Sequence, residues 1–149
     1  MRCLLSLGKT TAMDQESFVA ALNEDLQSEY RSLVQYTQHV AVIKGAEYLS
    51  TIEELRRHLA QELTHAQVLA EQVDFLGGVP ATDVPTVPDA TDARASLALD
   101  LELEREQLQR YRDRFAQANE LGLADVAEAI RPLLEQTQEH VRDLETVLG

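Results

Sequence analysis

The chain has 149 residues, of which 44% are hydrophobic and 26% are charged, a composition typical of one globular domain. No apolar run approaches the roughly 18 residues that a membrane-spanning helix needs. The single cysteine, Cys3, excludes an intrachain disulfide and any multi-cysteine metal site. The formal net charge of −13 disfavours binding to nucleic acid or anionic lipid and favours cations.

Residues 1–13 differ from the rest of the chain, because they contain Arg2 and Lys9 and no acidic residue. Their apolar patch is shorter than a secretory signal requires, and no cleavage site follows it. We expect either a disordered extension or a start-site artefact with Met13 as the true start, and a targeting peptide is the functional alternative. Without a signal peptide we expect a cytoplasmic location, where Cys3 stays reduced.

Residues 14–149 are predicted to form one helical domain, which begins with two long amphipathic helices. In both, apolar residues recur at steps of three and four, which is the period of a helix with one buried face. The first helix is predicted over about 14–43 and ends before Gly45. The second is predicted over about 46–76 and ends at Gly77 and Gly78.

A proline-rich link and two more helices follow. Residues 79–91 contain three of the four prolines and no helical pattern, and at about 3.1 Å per residue they can span about 40 Å. The third helix is predicted to begin near Asp92, with Thr91 as its cap. The fourth is predicted over 123–148, where Pro132 indicates a local kink.

The connections predict the topology. Short turns make the first and second helices, and the third and fourth, antiparallel hairpins. The long link lets the third helix lie parallel to the second. We therefore predict an all-α fold, an antiparallel four-helix bundle with one long crossover between its second and third helices.

Each predicted helix carries polar residues inside its apolar stripe. In chain order they are Glu29, Glu62, His65, Glu104, Thr137 and His140. Buried glutamates are almost always paired or metal-bound, and three carboxylates that converge in one core would repel one another without a cation. The three-residue spacing of Glu62 and His65 places both side chains on one helix face. Carboxylate and imidazole ligands with open positions suit iron or manganese.

Other interpretations of these residues remain open. Glu29 could be a surface residue on a helix whose stripe is misphased, and Glu62 with His65 could be a solvated pair. Glu104 could belong to a solvated acidic run, and His140 could be a core histidine bonded to Thr137. Periodicity nevertheless selects Glu104 over its neighbours Glu102 and Glu106, which we expect to face water.

Four further residues could lie near such a site. His58 is expected at the surface or as a support for a ligand, with a ligand role as the alternative, and His39 is expected at the surface. Tyr36 and Tyr111 lie on the stripes and are expected in the core, although a phenol near a metal could donate hydrogen bonds or electrons.

The sequence resembles bacterioferritin from Leu22 to Glu145. The matching segments are LNEDLQSEYRSLVQYTQH, QELTHA, FLGGVP, DLELE and EHVRDLE. The resemblance implies a ferritin-like bundle and places Tyr36 near the metals, as the candidate catalytic residue. It implies five metal ligands, namely Glu29, Glu62, His65, Glu104 and His140.

Three departures from the family qualify these expectations. Thr137 stands where the family has a glutamate that bridges the two irons with Glu62, so the site keeps three carboxylates. Leu63 stands where the family has its haem-ligating methionine, so we expect no haem. No residues for the family's short fifth helix follow the fourth, so a cage is doubtful. The resemblance implies a homodimer through the first two helices, with a larger assembly as the alternative.

The leading hypothesis is a non-haem iron protein that oxidises Fe(II) with dioxygen for iron storage or detoxification. One or two iron ions per chain are expected, with manganese as an alternative metal. A single ion would bind at Glu29, Glu62 and His65. The alternative hypotheses are a ferritin-like oxidoreductase or peroxidase acting on a small substrate, and a metal-poor bundle acting as a scaffold.

Overall fold

The computed structural model describes residues 13–149, so the prediction for residues 1–12 lies outside the described residues. Four helices form the structure, with a short 3₁₀ turn at Ala46–Tyr48 before the second. They are α1, Gln15–Val42; α2, Leu49–Phe75; α3, Ala93–Glu120; and α4, Ala124–Leu148. No strand occurs among the described residues. The predicted all-α four-helix bundle is confirmed.

Side-chain caps fix where α1 and α3 begin. Asp14 accepts a hydrogen bond of 2.7 Å from the backbone N–H of Ser17. Asp92 accepts one of 2.8 Å from the N–H of Ala95, which satisfies a donor that the first helical turn leaves free. The prediction that Thr91 caps α3 is wrong, because the carboxylate that reaches this amide is the one at the next position.

The crossover from α2 to α3 runs over α1, which holds it by hydrogen bonds. The side-chain amide of Asn23 donates to the carbonyl of Val79 at 3.0 Å and accepts from the N–H of Ala81 at 2.8 Å. The Tyr30 hydroxyl donates to the carbonyl of Ala81 at 2.9 Å. Helix α1 packs on α2 and α3, and α4 packs on the same two helices. None of the described helices is both long and apolar enough to cross a membrane.

The interior consists of two apolar clusters. One surrounds Phe18, Leu22, Leu69 and Ile130. The other contains, among others, Tyr36, Leu55, Leu97 and Leu144. On α1, α2 and α4 a group of buried polar residues falls between the residues of the two clusters, and on α3 Glu104 and Gln107 fall between Leu101 and Leu108 of the second cluster. The bundle therefore encloses a polar layer that apolar packing shields from water at both ends.

Two details concern α4. Val147 lies in the final turn of the helix, where it lines a surface pocket, and it is 37% exposed. Pro132 lies inside the helix, and the kink that it indicates stays a prediction.

Candidate metal centre

All six polar residues singled out from the stripes lie in the layer between the two clusters. Each has at most 1% of its surface exposed. They are Glu29 on α1, Glu62 and His65 on α2, Glu104 on α3, and Thr137 and His140 on α4. Their neighbours Glu102 and Glu106 are exposed, as periodicity predicts. One buried layer thus collects side chains from all four helices.

Glu29, Glu62 and His65 form one group of potential metal ligands. Nδ1 of His65 lies 3.1 Å from Oε2 of Glu62 and 3.7 Å from Oε1 of Glu29. The Tyr111 hydroxyl donates a hydrogen bond to Oε1 of Glu29. This contact orients the carboxylate and leaves its other oxygen free for a ligand.

Glu62, Glu104 and His140 form a second group. Nδ1 of His140 lies 2.9 Å from Oε1 of Glu62 and 3.3 Å from Oε1 of Glu104. The Tyr36 hydroxyl donates to Oε1 of Glu104 at 2.7 Å. Glu62 therefore belongs to both groups, and it presents a different oxygen to each histidine.

Glutamine side chains hold the outer nitrogens of both histidines. Nε2 of His65 lies 2.8 Å from Oε1 of Gln136, and Nε2 of His140 lies 2.6 Å from Oε1 of Gln61. An amide oxygen here accepts the Nε2 proton. Nδ1 of each ring therefore faces the carboxylates. In metal-ligating histidines, a hydrogen bond to the other ring nitrogen likewise fixes the orientation of the ring.

Burial and charge shift the pKa values of these groups towards proton retention. Burial, followed by the charge of Glu62, raises the pKa of Glu29 to about 8. Burial alone would lower the pKa of His65, but Glu29 and Glu62 raise it to about 11. Glu104 and Glu62 likewise outweigh burial and raise the pKa of His140 to about 10. Without metal, protons supply the positive charge that balances the buried carboxylates.

Several polar atoms in the layer are buried without a hydrogen-bond partner. They are Oε2 of Glu29, Oε2 of Glu104 and Oγ1 of Thr137. Such atoms are rare in folded proteins and need an explanation. Carboxylate oxygens and an imidazole nitrogen are donors that iron and manganese accept, so the residues present fit a metal centre.

The predictions for His39 and His58 need correction. His39 is not at the surface but 1% exposed, because its Nδ1 lies 2.8 Å from Oδ1 of Asp100 inside the bundle. His58 is also 1% exposed, and its ring stacks on that of His140 with centroids 4.0 Å apart. Burial, followed by the positive charge of His140, lowers the pKa of His58 to about 4. The expected surface position of His58 is therefore wrong, and its ring supports a predicted ligand, which was one of its expected roles.

Sequence reasoning missed two buried polar groups on α1 and α3. Asp100 accepts hydrogen bonds from Gln35 as well as from His39. Asp25 forms an ion pair with Arg114, whose Nε lies 2.8 Å from Oδ2. Helical periodicity could have predicted their burial, since Asp25 lies three residues after the buried Leu22 and Asp100 three residues after the buried Leu97.

Carboxylates and two histidines from all four helices, buried inside a bundle with one long crossover, resemble the carboxylate-bridged metal sites built on this fold, except that Thr137 stands where those sites have a fourth carboxylate. The chain belongs to the family described as the ferritin-like domain, which matches residues 19–149. It is 24% identical over 129 residues to a bacterioferritin from Mycobacterium leprae (strain TN), covering 86% of this chain and 81% of that protein.

Two solved structures share this architecture. A structure described as ferritin-like diiron-carboxylate proteins from Bacillus anthracis str. Ames has a TM-score of 0.87 and 27% identity, covering 93% of this chain and 100% of that one. The bacterioferritin-related protein from Bacteroides fragilis, described as a dodecameric thioferritin, has a TM-score of 0.82 and 26% identity. That match covers 92% of this chain and 87% of that one.

Proposed function

We propose that this chain binds ferrous iron in the buried layer and oxidises it with dioxygen, for iron storage or detoxification. The observation that carries this proposal is the position of Glu62. Its two oxygens face His65 and His140 separately, so one carboxylate can serve two adjacent cation positions. The likeness to bacterioferritin and to diiron-carboxylate proteins supports iron as the metal.

Each residue of the layer has a distinct task under this proposal. Glu29 and Glu104 each complete one cation position, and the hydroxyls of Tyr111 and Tyr36 hold their orientation. Burial raises the pKa of both phenols well above its usual value, so they remain hydrogen-bond donors. Fe(II) is the substrate, and each ion gives one electron to dioxygen. The apolar clusters at both ends exclude water from the reaction.

The test is the amount of metal bound per chain, followed by oxidation. Iron is added without oxygen and measured by elemental analysis, which also detects manganese, and air is then admitted while Fe(III) absorbance is followed. We expect one or two irons per chain and rapid oxidation. Glu62→Gln should lose both, and the exposed neighbour Glu102→Gln should lose neither. Retention of iron and activity by Glu62→Gln would contradict the proposal, and absence of bound metal in the parent would favour the scaffold hypothesis.

Peroxide is a second candidate oxidant, which the side chain at position 137 favours. Thr137 is shorter than the glutamate that the family resemblance expects there, and its hydroxyl has no hydrogen-bond partner. The hydroxyl could therefore donate a hydrogen bond to a small oxygen-containing substrate. Comparing initial oxidation rates with dioxygen and with hydrogen peroxide separates the two oxidants.

We also propose that the chain forms a homodimer through α1 and α2. These helices carry exposed apolar side chains, including Val34 at 47% and Leu63 at 51% exposure, which a partner could cover. Sedimentation should give twice the mass of one chain. A larger assembly, as in the dodecameric relative, is the alternative outcome.

A further inference from the structure

A second group of metal-ligating side chains lies outside the buried layer, between α2 and α4. Glu54 and His58 lie one turn apart on α2, and Asp143 lies opposite them on α4. One ligand atom from each lies within 4.8 Å of the other two, and Nε2 of His58 is 3.1 Å from Oδ2 of Asp143. Ligands of one ion stand roughly 3–4 Å apart, since each lies about 2.0–2.2 Å from it. A small adjustment would bring all three onto one cation.

These three side chains also line an open surface pocket. Its volume is about 200 Å³. The imidazole of His58 is buried, whereas the side chains of Asp143 and Glu54 are 37% and 42% exposed. The pocket therefore has a nitrogen ligand in its interior and two carboxylates at its rim. A hydrated cation can reach this arrangement directly from solvent.

Arg57 occupies the place of a cation beside the two carboxylates. Its Nη2 lies 3.3 Å from Oδ2 of Asp143, and it also pairs with Glu54. The arginine side chain is 56% exposed, so it can turn into solvent at little cost, because exposed ion pairs contribute only about 0–1 kcal/mol. We propose that Glu54, His58 and Asp143 form a second, solvent-accessible site for a divalent cation, which binds in exchange for the guanidinium of Arg57.

This site adjoins the buried layer without being part of it. The rings of His58 and His140 stack with an interplanar angle of 24°, so the imidazole of His58 lines the pocket and contacts His140 of the layer. The donors of the layer are at most 1% exposed, whereas the pocket is open. A cation that approaches along this face meets the pocket first. The proposal requires only these residues and does not depend on iron oxidation.

Zinc is the probe, because it does not change oxidation state and accepts carboxylate and imidazole ligands. Glu62→Gln removes the ligand that both buried groups share, and zinc binding is then measured by calorimetry. We expect this variant to retain one zinc per chain. Adding Asp143→Asn should weaken that binding at least about tenfold, and adding Glu139→Gln, an exposed acid one turn earlier, should not. Equal effects of the two additions, or no retained zinc, would overturn the proposal.

Replacing an arginine should have the opposite effect on zinc affinity to replacing Asp143. Arg57→Gln should tighten zinc binding, because it removes the competing guanidinium. Arg56→Gln removes the same charge from the preceding residue, whose partner is Glu53, and should leave the affinity nearly unchanged. If both variants tighten binding equally, the effect is general electrostatics and the site is refuted. Should Glu62→Gln fail to fold, the same comparisons are made in the parent chain, where Asp143→Asn should lower the total zinc bound by one.

Discussion

Loading the buried layer with metal should release protons in a number that identifies which groups bind. Glu29, His65 and His140 have pKa values of about 8, 11 and 10, so all three hold their protons at pH 7 in the metal-free protein. Each must lose its proton to become a ligand. Filling both groups with zinc should release about three protons per chain, whereas filling only the Glu29–Glu62–His65 group should release about two.

Calorimetry in buffers of different ionisation enthalpy measures this number directly, since the observed heat varies with buffer in proportion to the protons released. Zinc in the surface pocket adds almost nothing, because the pKa of His58 is about 4 and its imidazole is already neutral. Glu29→Gln should lower the release by about one proton at pH 7. A release below one proton by the parent chain would refute the assignment of these groups as protonated metal ligands.

Three further outcomes follow from the buried charges. In metal-free protein the melting temperature should fall as the pH rises from about 6.5 to 10. The reason is that Glu29 and the two histidines of the layer bind protons more tightly in the folded chain than in the unfolded chain. Zinc-loaded protein should not show this fall. Thr137→Glu should bind more iron per chain and oxidise it faster than the parent, and unchanged iron binding would show that Thr137 does not limit the site. Asp25→Ala leaves Arg114 buried without its partner, so it should lower the free energy of unfolding by about 3–5 kcal/mol. The melting temperature should then fall by about 6–20 °C. The control Glu24→Ala, at the exposed neighbouring residue, should lower the free energy of unfolding by at most about 1 kcal/mol.

The fold was predictable because its signals are local. The four apolar stripes, the glycine-containing turns and the prolines of residues 79–91 each mark one element, and the predicted ends lie within about three residues of those observed. The cap at Asp92 was missed for lack of side-chain geometry, since Thr91 and Asp92 are both suitable residue types.

The candidate site was only partly predictable. Periodicity placed Glu104 and the other polar residues of the stripes in the interior, because it indicates which face of a helix is buried. It does not indicate which side chains of the neighbouring helices contact that face. His39 was assigned to the surface although it faces Asp100 across the α1–α3 contact, and the stacking of His58 on His140 joins residues 82 positions apart. Such pairs depend on how helices are rotated against one another, which no single helix encodes.

Charge balance indicates what the threonine at position 137 does to the centre. Without metal, the raised pKa values of His65 and His140 give the layer two positive charges, and the raised pKa of Glu29 keeps its carboxyl neutral. One divalent ion at the Glu29 group replaces about two protons and leaves the net charge of the layer unchanged. A second replaces only the proton of His140 and leaves about one excess positive charge, which is costly in a buried site. The first ion should therefore bind more tightly than the second, and the second should require an anion from solution in the place of the carboxylate that Thr137 does not provide.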